Sequence, residues 1–283
     1  MQAEQRTEPV AHHGEGPAWI VGSGWPDGLY WLDMLAGDVL HVDEQGRVVR
    51  RNLGDVVALV RPRSSGGMVY ATERGFALDD GPGTPRRRLP DLWEDRSIRM
   101  NEGGCDPSGN LYCGSMSYTA AEGGGSLYRL DASGSWSVAL TGLTIPNGLE
   151  WTSSGEKAFH GNTAAGRIDV FDWDPARGLH NRRLFTSVER GVPDGLTVDA
   201  DGGVWAAVWG GHAVHGYDPD GTLTEVVNLP VAQVTACTFG GDDLGDLLIT
   251  TSREGLSDPE RAAGAVFVAR PGAHGQPCRS YGG

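Results

Sequence analysis

An all-β architecture, a single six-bladed β-propeller, is what this sequence predicts, and three observations carry the prediction. Four short polar phrases, Glu15-Gly16-Pro17, Asn101-Glu102-Gly103, Asn147-Gly148-Leu149 and Asp194-Gly195-Leu196, recur at nearly even spacing. In the last three, Asp106, Thr152 or Asp199 follows five residues on, then a tight turn (DPSGN, TSSGEK, DADGG) and an apolar strand. Glycine makes up 44 of the 283 residues, about twice the usual ~7%; without a collagen period, that suits many tight turns.

The units follow in order. Glu15 opens the first. The second has no polar phrase, but Ser64-Ser65-Gly66-Gly67 before Met68-Val69-Tyr70 fits the same frame and puts Ala58 at the phrase position. Asn101 opens the third and Asn147 the fourth, with strands expected at 149–151, 157–160, 168–173 and 183–185. Asp194 opens the fifth, with strands at 196–198, 203–209, 213–217 and 223–227 separated by DADGG, WGGH and DPDG. In the sixth, Gly240-Gly241-Asp242-Asp243 before Leu247-Leu248-Ile249 puts Thr235 at the phrase position. The intervals are 43, 43, 46, 47 and 41 residues, a period that reads as propeller blades. A chain of this length could hold two domains of about 150 residues; the repeat runs end to end without a linker, so residues 1–283 read as one domain. Closure needs a terminal strand beside the last blade's third strand, expected at 265–268. Either 8–11 or 278–281 would serve, and the sequence does not choose.

The net charge of −14 repels nucleic acid and anionic membrane surfaces and leaves small-molecule chemistry. The first fourteen residues are polar, so no secretory signal is read, and no apolar run approaches the ~20 residues of a membrane span. The expected location is the cytoplasm. Cys105, Cys113, Cys237 and Cys278 show no CxxC spacing, so buried free thiols are expected rather than a zinc site, with one disulfide left open. Ser154 and Lys157 match SxxK but fall on a repeat turn. His12 and His13 precede Glu15 and point to opposite faces of an extended strand, so at most one can join its neighbourhood.

Inner strands of a propeller line its channel, so equivalent positions form a ring about the axis. Glu15, Asn101, Asn147 and Asp194 occupy that ring. Two carboxylates and two amide carbonyls make a hard oxygen-donor site for one divalent metal ion, Ca²⁺, Mg²⁺, Mn²⁺ or Zn²⁺, with positions open for water. Asn-Gly and Asp-Gly are also common turn dipeptides. A turn would sit between strands, however, whereas these phrases head the first strand of each unit.

The segments EGPAW, LYWLDMLAGDVLHVD, RMNEGGCDPSGNLYCGSM, IPNGLEWTSSGEKAF, VPDGLTVDADGGVWAAVWGG and TACTFGGDDLGDLLITTS resemble, in content and order, the regucalcin (senescence marker protein)/gluconolactonase/luciferin-regenerating-enzyme family over essentially the whole chain. The resemblance implies a six-bladed propeller with a metal site in the central channel, hydrolysing sugar lactones. It assigns Glu15, Asn147 and Asp194 as metal ligands and Arg99 and Asn101 as substrate contacts. Asp194 is then the best candidate for the base that activates water, Glu15 supplies charge, and Arg99 orients substrate oxygens. Three phrases depart from the family pattern. Glu102 stands where Asp is usual, Gly161-Asn162-Thr163 replaces an Asp-Ser or Asp-Thr pair, and Thr235-Ala236 replaces Thr-Ser. Glu102 joins the substrate contacts and points to a substrate other than the usual aldonolactone. Between Gly114 and Ser126, SMSYTAAEGGG enters the same mouth, either as a lid with Tyr118 and Glu122 as contacts or as a solvated loop. The competing readings are a metal-binding propeller enzyme acting on a secondary metabolite and a non-catalytic propeller holding Ca²⁺ or a ligand. The oligomeric state is left open.

Overall fold

A computed structural model describes residues 1–283 and shows six four-stranded antiparallel sheets. Their first strands are Gly14–Ile20, Val57–Pro62, Ile98–Cys105, Pro146–Trp151, Val192–Val198 and Val234–Gly240. Each touches the first strand of the next sheet and the sixth returns to the first, which closes a circle about a central channel. Blade 5 shows the internal order: Val192–Val198 innermost, then Val204–Trp209, Ala213–Tyr217 and Leu223–Asn228. The second and third strands of blade 5 are buried apart from Trp209 and apolar apart from His215, because a neighbouring blade covers each face.

The apolar residues segregate into six clusters, one at each blade-to-blade interface. Ile20, Tyr30 and Leu32 meet Val60 and Tyr70 between blades 1 and 2; Tyr112 and Leu127 meet Trp151 and Phe171 between blades 3 and 4. The clusters are unequal. Blades 5 and 6 share 16 buried residues, including Trp205, Phe239 and Phe267, whereas blades 6 and 1 share only five: Leu29, Trp31, Leu40, Leu248 and Val266.

Turn chemistry is equally regular. Asp106 Oδ1 accepts the backbone N–H groups of Ser108 and Asn110, both at 2.9 Å; Asp199, Asp131 and Asp218 close their turns in the same way. An aspartate side chain that captures N–H groups two and four residues on substitutes for a backbone turn bond.

Closure corrects the sequence-based expectation. The N-terminus completes blade 6, but through Glu4–Gln5 paired with Phe267–Ala269, not through 8–11. Residues 278–281 form no blade strand; the last ten residues cross the base of the channel instead. Gln276 Nε2 donates to Trp151 O and Val198 O at 2.8 and 3.0 Å, Arg279 Nη2 donates to Thr152 O, and the Tyr281 and Gly282 amides donate to Pro62 O and Gly109 O. This strap ties blades 2 to 5 together. All four cysteines are free, three of them buried. Ser154 and Lys157 are exposed on their turn, and no helix is long and apolar enough to cross a membrane.

Candidate active site at the head of the channel

Every polar phrase lies inside an innermost strand, and every one coincides with a break in pairing register. The breaks fall between Glu15 and Ala18, Met100 and Gly103, Pro146 and Leu149, and Pro193 and Leu196; blades 2 and 6 break at Val57/Leu59 and Val234/Ala236. A β-bulge re-aims a side chain that regular pleating would turn into the blade. The glycines of these phrases answer a different need from turns. A Cβ on Gly148 would lie 2.3 Å from Leu196 N, and one on Gly195 would lie 2.4 Å from Ala236 Cβ. The innermost strands approach so closely that only hydrogen fits.

The four phrase residues and Glu102 are all buried. They converge, but with unequal bonding. Arg99 Nη1 donates to Asn101 Oδ1 at 2.7 Å and to Met100 O at 2.9 Å. Asn101 Nδ2 donates to Pro146 O at 2.9 Å and to Asn147 Oδ1 at 3.0 Å. Asn147 Nδ2 donates to Thr163 Oγ1 at 2.8 Å, whose own proton goes to Pro193 O. Both N–H donors of Asn101 are thereby committed to blade 4, and only Oδ1 is left to face a substrate hydroxyl. One lone pair of Asn147 Oδ1 is unused.

The carboxylates are poorly partnered. Glu15 Oε2 accepts only the Gly16 amide, at 3.1 Å; Glu102 Oε2 is buried without a partner, and its Oε1 lies against Gly195. Asp194 takes no hydrogen bond at all through its side chain. Burial pushes Glu15 up to about 7. Burial, and then the charge of Glu15, raises Glu102 well above the ordinary carboxylate range, and Asp194 is raised by burial and by both glutamates. Arg99 faces Glu15 and Asp194, its own proton affinity lowered mainly by burial. One guanidinium stands against three acids in a desolvated space, a charge imbalance that a cation would relieve.

Tyr118 sits at the mouth, 47% exposed, with Arg99 Cζ 5.8 Å from its ring centroid and its hydroxyl donating to Glu73 Oε1 at 2.6 Å. Glu122 is exposed. The loop containing them is shorter than the sequence suggested, because Leu111–Ser117 continues as buried strand. Of the two histidines, His13 enters the site: its Nε2 is 3.9 Å from Glu15 Oε1, its Nδ1 pairs with Ser252 Oγ at 2.8 Å, and Trp209 stands edge-on at 6.2 Å. Burial lowers His13 to about 4. His12 turns outward to Glu254. Thr163, Ser252 and Glu73 were not marked as site residues by the sequence; the only signal was the departure at Gly161-Asn162-Thr163.

No three histidine, cysteine, aspartate or glutamate side chains are grouped for a cation anywhere in the chain. The ring instead offers Glu15, which accepts a single backbone amide, and Asp194, which accepts no hydrogen bond, with the Asn147 amide oxygen. Such a donor set fits a hard divalent ion completed by water.

A propeller with acids and amides gathered at one end of its channel defines a class, and comparison with known proteins places the chain within it. Residues 13–253 match the SMP-30/gluconolactonase/LRE-like region, and the chain belongs to that family. It is 34% identical over 280 residues to the pentonolactonase of Haloferax volcanii, covering 93% of this chain and 92% of the relative. It is 32% identical over 267 residues to the 6-deoxy-6-sulfogluconolactonase of Pseudomonas putida, covering 91% and 90%. Among solved structures, regucalcin from Agrobacterium tumefaciens, a calcium-binding protein, superposes with a TM-score of 0.91 at 26% identity, covering 99% of this chain and 97% of that one.

Proposed function

We propose that this chain hydrolyses a lactone, with one divalent cation held by Glu15, Asn147 and Asp194. The observation that carries the reading is Asp194, a buried carboxylate with no hydrogen bond, set among Glu15, Glu102 and Arg99. The names of the two lactonase relatives supply the substrate class, and oxygen-only donors suit Ca²⁺, Mg²⁺ or Mn²⁺ better than zinc. When bound, such an ion supplies Lewis-acid polarisation of the ester carbonyl and stabilises the negative charge that develops there.

The residues of the chain do the rest. Asp194 accepts a proton from the attacking water; the water oxygen bonds to the carbonyl carbon, the ring C–O bond breaks, and the proton passes to the departing ring oxygen to leave a hydroxy acid. Without a cation, burial and the neighbouring glutamates raise the proton affinity of Asp194; a bound cation would favour its ionised form, the form that accepts a proton. Arg99 spends one nitrogen on Asn101 and Met100 and offers the remaining donors of its fork to substrate oxygens. Asn101 Oδ1 and Glu102 accept from substrate hydroxyls. Tyr118, its hydroxyl committed to Glu73, presents its ring face to the bound sugar.

The test is acid release from a panel of aldonolactones by protein loaded in turn with Ca²⁺, Mg²⁺ or Mn²⁺, with chelator controls. Cation-dependent turnover on at least one lactone is expected. Cation binding without turnover on any lactone or ester would sink the hydrolase reading and leave a binding propeller.

A further inference from the structure

Three hydrogen bonds of one kind join successive blades around the ring, and each ends on the carbonyl that immediately precedes a proposed ligand. Thr235 Oγ1 of blade 6 donates to Gly14 O, one residue before Glu15, at 2.6 Å. Asn101 Nδ2 of blade 3 donates to Pro146 O, one residue before Asn147, at 2.9 Å. Thr163 Oγ1 of blade 4 donates to Pro193 O, one residue before Asp194, at 2.7 Å. The remaining ring positions lack the device. The carbonyl before Asn101 takes Arg99 from its own strand, and the carbonyls before Ala58 and Thr235 take no side chain.

The Pro146 and Pro193 carbonyls lead directly into the register breaks of their strands, and the Gly14 carbonyl stands one residue before the break that follows Glu15. At a bulge the ladder no longer fixes the peptide plane, so the bond from the preceding blade fixes it instead, and with it the Cα–Cβ direction of the next residue. Ligand atoms must be held to within about 0.5 Å of their working positions. Thr163 does this twice over, because its oxygen also accepts Asn147 Nδ2 and so turns Asn147 Oδ1 away from it. Thr235 is fully buried and shares its hydroxyl with Thr250 at 2.8 Å.

We infer that Thr163 and Thr235 are positioning residues of the cation site, each aiming a ligand that belongs to the following blade. The inference rests on the cation site proposed above. Both threonines stand beside a departure from the family pattern, at Asn162 and Ala236.

Calorimetric titration of the metal-free protein with CaCl₂ or MnCl₂ tests it, using Thr163→Val and Thr235→Val beside Thr163→Ser and Thr235→Ser. Valine keeps the shape and removes the donor; serine keeps the donor. Loss of a group that orients a ligand typically weakens metal affinity about 10- to 100-fold. That loss is expected for the valine variants, with serine restoring affinity to within about threefold and metal-free melting temperatures staying within about 3 °C of the unaltered protein. Valine variants that bind as tightly as the unaltered protein, or serine variants as weak as valine, overturn the positioning role alone. An unaltered protein that binds none of Ca²⁺, Mg²⁺ or Mn²⁺ overturns the cation site, and the role of both threonines with it.

Discussion

Asp194 and Asp199 lie on or beside one innermost strand, five residues apart, and both are buried. At the base of the channel Asp199 is saturated: Oδ1 accepts the Asp201 and Gly203 amides at 3.0 and 2.7 Å, and Oδ2 accepts Trp205 Nε1 at 2.9 Å. At the head Asp194 accepts nothing and sits among other acids. Burying an ionised group costs several kcal/mol unless partners compensate. Asp199 repays its burial in hydrogen bonds and serves the fold. Asp194 does not, and its free lone pairs are what a cation or a reacting water requires.

The largest effect that would break this contrast is at Asp194. Asp194→Asn is expected to lower lactone turnover on the order of 10³-fold, the scale of a lost general base, while the metal-free melting temperature holds or rises because a buried charge is gone. Initial rates and a thermal melt measure both; retained turnover with a lowered melting temperature would reverse the roles of the two aspartates.

A buried group belonging to neither end separates acid effects of the fold from those of the site. His160 in blade 4 is fully buried with both ring nitrogens unpartnered, and burial, then Arg182, pushes it down to about 4. The unfolded chain binds this proton near 6.5, so stability is complete above that pH and is lost as pH falls toward 4, by roughly 3 kcal/mol at the lower limit. Denaturant midpoints for His160→Leu between pH 7 and 4 should show a correspondingly flatter decline.

Asp199→Ala should cost about 2 kcal/mol of stability by orphaning buried donors and leave turnover within about threefold, read from urea midpoints and initial rates. Smallest of all, a divalent ion at ten times its dissociation constant should stabilise the protein by about 1.4 kcal/mol. Chelator should abolish that increment, Asp194→Asn and Glu15→Gln should lack it, and Asp199→Ala should keep it.

The ring was legible because periodicity reports position around the axis: Glu15, Asn147 and Asp194 share a phase, and phase survives folding. Their bulges were not legible, since nothing in the sequence shows the adjacent strand that presses on Gly148 and Gly195. Thr163 escaped because it reaches the ring from the turn after the second strand, outside the repeating phrase. The closing strand escaped for a simpler reason. Glu4–Gln5 is two exposed residues long, too short to carry an alternation.

That closing pair has a consequence for how the molecule is made. Glu4 meets Val268 and Thr235 meets Gly14 across 221 residues, contacts of a sequence separation that slows folding, because a long loop must close before any contact rewards it. During synthesis Glu15 emerges early and waits for nearly the whole chain before blade 6 arrives beside it. The seam it then joins has the smallest of the six apolar clusters, so circularisation is the late and weakly driven step. A nascent or nicked chain with five good blades would hold Asn147 and Asp194 side by side, yet lack the partner that pins Glu15; on the proposed function, chemical competence would arrive only with a closed circle.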